Sequence, residues 1–440
     1  MSRKNRAPGP PETAQVAALN HDGEGVVRGA KTAFVAGALP GEQITFRRTR
    51  FHRQHDEGEL LSIETPSADR VTPRCAHFGV CGGCALQHLA PAAQLRAKQA
   101  EVAENLARIG RVEPQRWLDP ITSPEWRYRR RARLGAKFVT KRDRVLVGFR
   151  ERSAPFIAAL ERCEILAEPV DALITPLAQL LSGLAAKRVI PQIEVAVADS
   201  VTVLVFRHLE PLAVTDLEAL ARFESQHRLR IYLQAGGPET VRPLAGDPVA
   251  LRYRLEDQGL EYEFQPTDFV QINAAVNTRL VARALELLEV GPEDRVLDLF
   301  CGLGNFTLPL ARRASAVVGI EGEAGLVARA RHNAALNGIT NAEFHVANLA
   351  EPDGGAAALR GGFTRILLDP PRAGALEVLP RLATLAAQRI VYVSCHPGTL
   401  ARDLGVLCHE YGYRLTAVGV VDMFPHTHHI ESVALLERTA

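Results

Sequence analysis

A cysteine and a glutamate in the last part of the chain are the residues best suited to carry out chemistry. Cys395 ends an apolar, β-type run that starts at Arg389, and Pro397 follows it at the turn into a helical pattern. A thiol just before a helix N-terminus is favoured as a thiolate, which is the nucleophilic form of cysteine. Glu431 opens the last predicted strand, where a carboxylate can take up a proton.

A single cysteine in a turn is most often a small, buried hydrophobic residue, and Cys301 and Cys408 are interpreted in that way. Cys395 differs because its surroundings favour ionisation. The helix that is predicted to start near Thr399 and the cation Arg402 could both stabilise its thiolate.

A glycine turn and an acidic residue indicate a nucleoside-binding site. Gly302 and Gly304 follow a predicted strand and let the backbone turn tightly against a ligand. A dinucleotide fingerprint would have a third glycine where this chain has Thr307, which weakens an NAD interpretation. Glu321 ends the next strand and can accept hydrogen bonds from ribose hydroxyls, which occur in both NAD and S-adenosylmethionine.

Asp369 ends a further predicted strand and is followed by Pro370 and Pro371, which fix an extended turn. This pattern is typical of methyltransferases that act on planar nitrogen or base targets, although those usually continue with an aromatic residue and this chain continues with Arg372. An N-methyltransferase is therefore one alternative, and it would need no cysteine nucleophile.

A thiol and a carboxylate beside a methyl donor suit methylation of uracil at carbon 5. That carbon is a poor nucleophile until a thiolate, here that of Cys395, adds to carbon 6. After the methyl group has moved to carbon 5, a base such as Glu431 must remove the carbon-5 proton so that the cysteine can leave.

Three histidines, at positions 426, 428 and 429, precede Glu431. A zinc site is rejected there because no cysteine or carboxylate has the usual spacing for a further ligand.

These residues lie on alternating strand and helix patterns, which predict an α/β fold with a parallel sheet whose ligands collect at the carboxyl ends of the strands. The predicted strands are RVLDLF, AVVGIE, AEFHV, RILLD, RIVYVS and two late strands at about 413–422 and 430–437. A central α+β region precedes this part and contains a helical pattern at about 93–109.

The N-terminal part predicts a small OB-like β-barrel. Short alternating runs between 14 and 63 are separated by turn signals. The barrel carries basic residues, and a second basic run, Trp126 to Phe138, is predicted as a strand whose arginines share one face that suits a phosphate backbone. The arginines concerned are Arg47, Arg48, Arg50 and Arg53 in the barrel and Arg127, Arg129, Arg131 and Arg133 in the second run.

Composition narrows the class of protein. The chain has 440 residues, 47% hydrophobic content and a formal net charge of +2, which predict a multidomain globular protein. It contains no apolar run of the length that crosses a membrane and no signal-peptide pattern, so a cytoplasmic enzyme is expected. The odd number of cysteines, seven, favours metal binding or catalysis over a disulfide framework.

With these motifs assembled, the sequence resembles the RNA 5-methyluridine methyltransferase family over nearly its whole length. The motifs that carry the resemblance, in the family's order, are DFVQIN from Asp268, DLFCGLGNF from Asp298, the strand-ending Glu321, ANL around Asn348, DPPRAG from Asp369, SCHPGTLARDL from Ser394 and DMFPHTHHIES from Asp422.

The resemblance implies a class I, Rossmann-like methyltransferase domain in which Cys395 is the nucleophile and Glu431 the base. It also implies which residues line the S-adenosylmethionine site: Gln271, Phe300, Asn305, Glu321, Asn348 and Asp369. Arg372 fits this family, whose members carry DPPR.

The N-terminal half resembles the subtype that acts on 23S ribosomal RNA. Its barrel resembles a TRAM domain, an RNA-binding module. The spacing of Cys75, Cys81 and Cys84, with Cys163 as a fourth thiolate, resembles that subtype's iron-sulfur site, although spacing alone does not separate a zinc site from a 4Fe-4S cluster.

The expected organisation is a disordered tail at 1–11, the barrel at 12–67, the central iron-sulfur domain at 68–265 and the methyltransferase domain at 266–440. RNA, above all 23S ribosomal RNA, is the expected partner, with no membrane and no obligate protein partner. A transfer RNA enzyme and a non-catalytic RNA-binding iron-sulfur protein are the alternatives.

Overall fold

The computed structural model describes residues 7–351, 354–355 and 358–439. The tail predicted at 1–11 therefore lies mostly outside the described residues. The strands are β1 Pro11–Leu19, β2 Gly25–Val27, β3 Thr32–Val35, β4 Gln43–Phe51, β5 His55–Thr65, β6 Arg116–Trp117, β7 Arg131–Val139, β8 Arg144–Gly148, β9 Gln192–Val197, β10 Thr202–Arg207, β11 Arg230–Gln234, β12 Arg242–Pro243, β13 Leu251–Leu255, β14 Leu260–Phe264, β15 Arg295–Leu299, β16 Ala316–Glu321, β17 Ala342–Val346, β18 Arg365–Leu368, β19 Arg389–Ser394, β20 Tyr413–Val421 and β21 Glu431–Arg438. The α-helices are α1 Pro91–Asn105, α2 Ile174–Gly183, α3 Val214–His227, α4 Ala274–Leu288, α5 Thr307–Ala311, α6 Ala324–Leu336, α7 Leu379–Leu385 and α8 Pro397–Glu410.

The chain divides into two compact units. Unit 1 comprises Met1–Glu101, Arg150–Pro155 and Phe424–His428, and unit 2 comprises Val102–Phe149, Phe156–Met423 and His429–Ala440. The helix expected at about 93–109 is confirmed as α1, which ends in a single π-helical turn at Leu106–Gly110.

Unit 1 contains the predicted barrel. Strands β1 to β5 close in the order β1-β2-β3-β5-β4, and β1 pairs with β4 to complete the circle. Alternate residues of the strands point inward, and Val16, Val35, Ile44 and Phe46 form a core from which water is excluded. The barrel prediction is confirmed, although the short strand β2 was not foreseen.

The arginines of the barrel are largely engaged within it. Arg48 donates to Glu12 at 3.0 Å and to Asp56 at 2.9 Å, and Arg50 donates to Glu57 at 3.0 Å. Because these guanidiniums already have carboxylate partners on neighbouring strands, they are weaker candidates for phosphate binding than the sequence suggested.

The arginine-rich strand of unit 2 is shorter than expected. Strand β7 starts only at Arg131, whereas Arg127 adopts a left-handed conformation with φ of 54° and Arg129 forms isolated bridges to Leu166 and Asn273. Arg127 pairs with Glu168, and Arg133 pairs with Glu194 at 3.0 Å. The prediction that four arginines share one strand face was therefore wrong.

In the described part of unit 2, the strands form two sheets and a hairpin. A six-stranded sheet has the order β12-β11-β10-β9-β7-β8, and β13 and β14 form the hairpin. The third assembly is an eight-stranded sheet of order β17-β16-β15-β18-β19-β21-β20-β6, in which β15 to β19 are parallel and β21 is antiparallel to both neighbours. The strand positions predicted from Arg295 onward are confirmed.

The parallel strands are buried on both faces, as their continuous apolar sequences require. Leu297, Val318, Ile366 and Ile390 belong to one core with residues of α7 and α8. No helix within the described ranges is long and apolar enough to cross a membrane.

Candidate active site

Cys395 and Glu431 lie at adjacent strand ends. Strands β19 and β21 are antiparallel neighbours, and Ser394 is paired with Ser432 at the end of their register. Cys395 directly follows Ser394, and Glu431 directly precedes Ser432. The sheet order thus places a thiol beside a carboxylate, although the two residues are 36 positions apart in the sequence.

Three charged groups act on the half-buried Cys395 thiol. Burial is the largest influence and raises the pKa of Cys395, and the carboxylates of Glu431 and Asp369 raise it further. The guanidinium of Arg372 opposes them and lowers this pKa. Asp369 comes from the turn after β18, so the strand ends bring together the nucleophile and base expected from the sequence with one expected cofactor residue.

Glu431 is 4% exposed, and both burial and the nearby carboxyl of Asp369 raise its pKa. Burial likewise raises the pKa of Asp369, which has a half-buried side chain. A carboxyl with a raised pKa is a stronger base when ionised and holds a proton more readily, as a proton acceptor in catalysis must.

The cation beside the thiol is Arg372, not the predicted Arg402. Arg402 donates to Asp403 at 2.8 Å and to the Ala373 carbonyl at 2.8 Å. Arg372 instead contacts His429, with 2.9 Å between Nη2 and Nδ1. The assignment of Arg402 as the thiolate's partner was therefore wrong, because sequence proximity along a helix does not determine where a long side chain reaches.

Replacing Arg372 with alanine is expected to make the Cys395 thiol harder to ionise, because a cation that lowers its pKa is lost. Alkylation of Cys395 by iodoacetamide, followed by mass spectrometry across a pH series, should show its midpoint moving to higher pH. Arg402→Ala is the matched control and should leave that midpoint unchanged. A shift in the control but not in Arg372→Ala would contradict this electrostatic assignment.

The glycine turn after β15 is held against the end of β16. Gly302 donates its N–H to Glu321 Oε2 at 3.1 Å, and Glu323 donates to Oε1 at 3.0 Å. Positive φ angles at Phe300, 63°, and Gly304, 94°, turn the chain sharply. The turn and the acid therefore meet at one edge of the sheet, as their positions in the sequence predicted.

Asn305 and Gln271, both expected to line the cofactor site, have different surroundings. The side chain of Asn305 is hydrogen-bonded within the protein to Tyr253 and Asn277. Gln271 lines a cavity together with Val270, Tyr253 and Asn277. Gln271 therefore has open space beside it, whereas the side chain of Asn305 is already engaged in hydrogen bonds with other residues of the protein.

Asn348 is exposed beyond the end of β17. Its side chain accepts an N–H from Ala350 at 3.1 Å and donates to Glu351 at 3.0 Å. The residue thus shapes the turn after β17, the strand that pairs with β16, whose end carries Glu321.

Asp298, the first residue of the DLFCGLGNF motif, is a buried carboxyl group of this region for which the sequence predicted no separate role. Burial, with the charges of Asp369 and Glu321, raises the pKa of Asp298 to about 7, although a 2.5 Å hydrogen bond donated by Thr307 acts in the opposite direction. Its Oδ1 atom is buried with no hydrogen-bond partner among the described residues. Three carboxyl groups therefore influence one another at this sheet edge, which favours a cationic ligand.

Three of the four predicted cluster ligands, the cysteines at 75, 81 and 84, lie in unit 1. In unit 1, Gly83 donates its N–H to Cys81 Sγ at 3.4 Å, and Cys75 donates its N–H to Gln87 at 3.1 Å. Burial and the nearby Cys75 raise the pKa of Cys81. Cys163 belongs to unit 2. Within the described ranges, no three His, Cys, Asp or Glu side chains are grouped as metal ligands, and none of the cysteines forms a disulfide.

Comparison with known proteins shows the family to which this chain is similar. The sequence profile of the tRNA (Uracil-5-)-methyltransferase family matches residues 90–439. A Nitrosococcus oceani protein named 23S rRNA (uracil(1939)-C(5))-methyltransferase RlmD is 53% identical over 98% of this chain and 96% of its own. The Xylella fastidiosa protein of the same name is 49% identical over 100% of both chains.

A solved structure matches the fold over nearly its full length. The tRNA (uracil-54, C5)-methyltransferase of Pyrococcus abyssi, in complex with S-adenosyl-L-homocysteine, is 26% identical with a TM-score of 0.75, covering 97% of this chain and 100% of its own. The paired thiol and carboxylate, the glycine turn and these full-length matches lead to one conclusion: the chain belongs to the tRNA (uracil-5)-methyltransferase family.

Proposed function

We propose that the protein transfers a methyl group from S-adenosylmethionine to carbon 5 of a uracil in 23S ribosomal RNA. The observation that carries this proposal is the juxtaposition of Cys395 and Glu431 at the ends of β19 and β21, beside Asp369. Relatives at about 50% identity have names that specify uracil 1939, which we propose as the target position. Such an enzyme would act in the cytoplasm.

In the proposed reaction, the Cys395 thiolate forms a bond to carbon 6 of uracil, and the ring electrons shift toward carbon 5. S-adenosylmethionine, when bound, supplies an electrophilic methyl group to that carbon. Glu431 then takes the carbon-5 proton, the electrons restore the double bond between carbons 5 and 6, and the bond to Cys395 breaks. Cys395 is released as the thiolate, Glu431 holds the proton, and S-adenosylhomocysteine is what remains of the donor.

The groups proposed to hold the methyl donor lie on consecutive strand ends. Glu321 would bind the ribose, and Asp369 would stay close to both the donor and the uracil. The remaining proposed lining residues are Gln271, Phe300, Asn305 and Asn348. Acidic side chains here suit a donor with a sulfonium charge, since opposite charges attract across a poorly solvated site.

The choice of ribosomal over transfer RNA rests on the relatives' names and on the barrel of unit 1, which we propose to be a TRAM-like RNA-binding module. We further propose the functional division into 12–67, 68–265 and 266–440. The test incubates the protein with methyl-labelled S-adenosylmethionine and either 23S ribosomal RNA or transfer RNA, both lacking 5-methyluridine. Label should enter the 23S substrate at uracil 1939, and preferential labelling of transfer RNA would overturn the proposal.

We also propose a 4Fe-4S cluster bound by Cys75, Cys81, Cys84 and Cys163, with a structural role. His88 supports a bound group near Cys75, Cys81 and Cys84. Its side chain is only 2% exposed, and neither of its ring nitrogens has a hydrogen-bond partner among the described residues. Its ring lies 5.2 Å from that of Phe78, within the cysteine loop. Buried polar atoms without partners are unfavourable, so a bound group that engages them would stabilise this loop.

Anaerobic purification followed by iron and sulfide analysis tests the cluster. We expect about four iron and four sulfide ions per chain, and a Cys81→Ser variant should lose most of them. Zinc in place of iron, or a Cys81→Ser variant with full iron content, would contradict the proposal.

A further inference from the structure

The hairpin of β13 and β14 contacts the glycine turn through two tyrosine hydroxyls. Tyr253 donates to the Asn305 side-chain oxygen at 2.9 Å, and Tyr262 donates to the Asn305 backbone oxygen at 3.3 Å. The two rings are stacked, with centroids 4.8 Å apart and planes within 4° of each other. Two donors of the hairpin thus converge on a single residue of the turn.

Asn305 is fixed from a second side by helix α4. Its amide pairs with that of Asn277: Asn277 donates to Asn305 Oδ1 at 3.0 Å, and Asn305 donates back at 2.9 Å. Together with the bond from Tyr253, three of the four hydrogen-bonding positions of the Asn305 carboxamide are occupied. This network, formed by Tyr253, Asn277 and Asn305, leaves the side chain little freedom to rotate.

The hairpin is itself anchored, so it can act as a fixed support. The backbone N–H groups of Glu261 and Glu263 donate to Asn337 at 2.9 Å and to Asn333 at 2.8 Å, respectively. Asn333 lies in α6, the helix that follows Glu321 along the chain, and it also donates to the Leu303 carbonyl in the glycine turn at 3.2 Å. The hairpin and the turn therefore share their anchoring helix.

The network borders the space beside an expected cofactor residue. Tyr253 and Asn277 line the same cavity as Gln271. Burial raises the pKa of the Tyr253 hydroxyl above its ordinary value, so this hydroxyl remains protonated and able to donate to Asn305. A displacement of Asn305 would change the backbone conformation of the glycine turn, because Asn305 directly follows Gly304 and lies just before α5.

We infer that Tyr253 is a positioning residue for the methyl donor: its hydroxyl acts through Asn305 to hold the glycine turn in the conformation that binds S-adenosylmethionine. The inference rests on the proposed cofactor site. Tyr253 itself need not touch the donor. Its effect is to reduce the conformations of the turn before binding, and so to strengthen binding without altering the methyl-transfer step.

The Tyr253→Phe variant tests this role, because it removes one hydrogen bond and keeps the ring stack. Binding of S-adenosylhomocysteine, measured by calorimetry, should weaken on the order of five-fold, which is the usual size for one hydrogen bond. KM for S-adenosylmethionine should rise by a similar factor, with kcat at saturation close to that of the unchanged protein. A fall in kcat with unchanged KM would overturn the inference, since it would indicate only a loss of folded enzyme.

Two further variants separate positioning from general stability. Tyr232→Phe is the matched control, because it removes another buried tyrosine hydroxyl, one that accepts the Val249 N–H at 2.9 Å in the six-stranded sheet. It should leave ligand affinity unchanged. When Asn305 is already replaced with alanine, Tyr253→Phe should not weaken ligand binding further, because the acceptor of the Tyr253 hydroxyl is then missing. Additive effects would overturn the inference.

The outcomes also distinguish this inference from the proposed function. If the unchanged protein fails to bind S-adenosylhomocysteine, the proposed cofactor site is wrong. If it binds and Tyr253→Phe binds equally well, the cofactor site stands and the role given to Tyr253 is wrong.

Discussion

Replacing Cys395 with alanine is expected to lower the rate of uracil methylation by about 10⁴-fold or more, since an attacking nucleophile and the groups that serve it act as a unit. Without addition at carbon 6, carbon 5 of the ring cannot accept the methyl group at a useful rate. The measurement is single-turnover transfer of labelled methyl to 23S ribosomal RNA. Affinity for S-adenosylhomocysteine should not change, because the thiol is proposed to act on the RNA base.

The control for this prediction is Cys408→Ala, which removes another half-buried thiol whose pKa is also raised by burial. Cys408 lies within α8, near its C-terminal end, and should be dispensable for methyl transfer. If Cys395→Ala kept full activity, the nucleophile would be wrongly assigned and an N-methyltransferase mechanism would be favoured.

Replacing Glu431 with glutamine is expected to stop the reaction after methyl transfer. The amide keeps the shape of the side chain but cannot take up the carbon-5 proton, so elimination of Cys395 should slow by about 10²- to 10⁴-fold. A covalent complex of protein and methylated RNA should then accumulate and be visible on a denaturing gel. Glu437→Gln on the same strand is the control, and it should turn over normally without an adduct.

The pH dependence of this step has a definite direction. Because burial and Asp369 raise the pKa of Glu431, the ionised base is lost as the pH falls through that raised value. The thiolate of Cys395 is also lost as the pH falls, since its pKa is raised as well.

A Glu431→Gln variant that turned over as fast as the unchanged protein would show that another group removes the carbon-5 proton.

The parallel strands could be predicted because burial on both faces gives each a continuous apolar sequence. Cys395 could also be identified, since the turn at Pro397 identifies it as a strand-end residue. That Glu431 lies beside Cys395 required the sheet order, in which β21 inserts antiparallel between β19 and β20. Sequence patterns do not encode that insertion, and the resemblance to a family supplied what the residues alone did not.

Charge partners were the least predictable feature. The arginines at 127 and 133 were expected to face a phosphate backbone, but they pair with Glu168 and Glu194, which are 41 and 61 positions away. The tyrosine contacts of Asn305 were missed for a related reason. Tyr253 is 52 positions from Asn305, and nothing in a strand pattern of alternating residues shows which ring reaches another loop.

The central claim is that Cys395 forms a covalent bond to the target uracil. The most direct measurement incubates the protein and S-adenosylmethionine with 23S fragments that contain 5-fluorouridine, because fluorine cannot leave as a proton and the intermediate should persist. Mass spectrometry of the trapped complex is expected to find the base, carrying the transferred methyl group, bonded to the peptide that contains Cys395. An adduct at another cysteine, or methylation of unsubstituted RNA with no adduct on the fluorinated one, would contradict the claim.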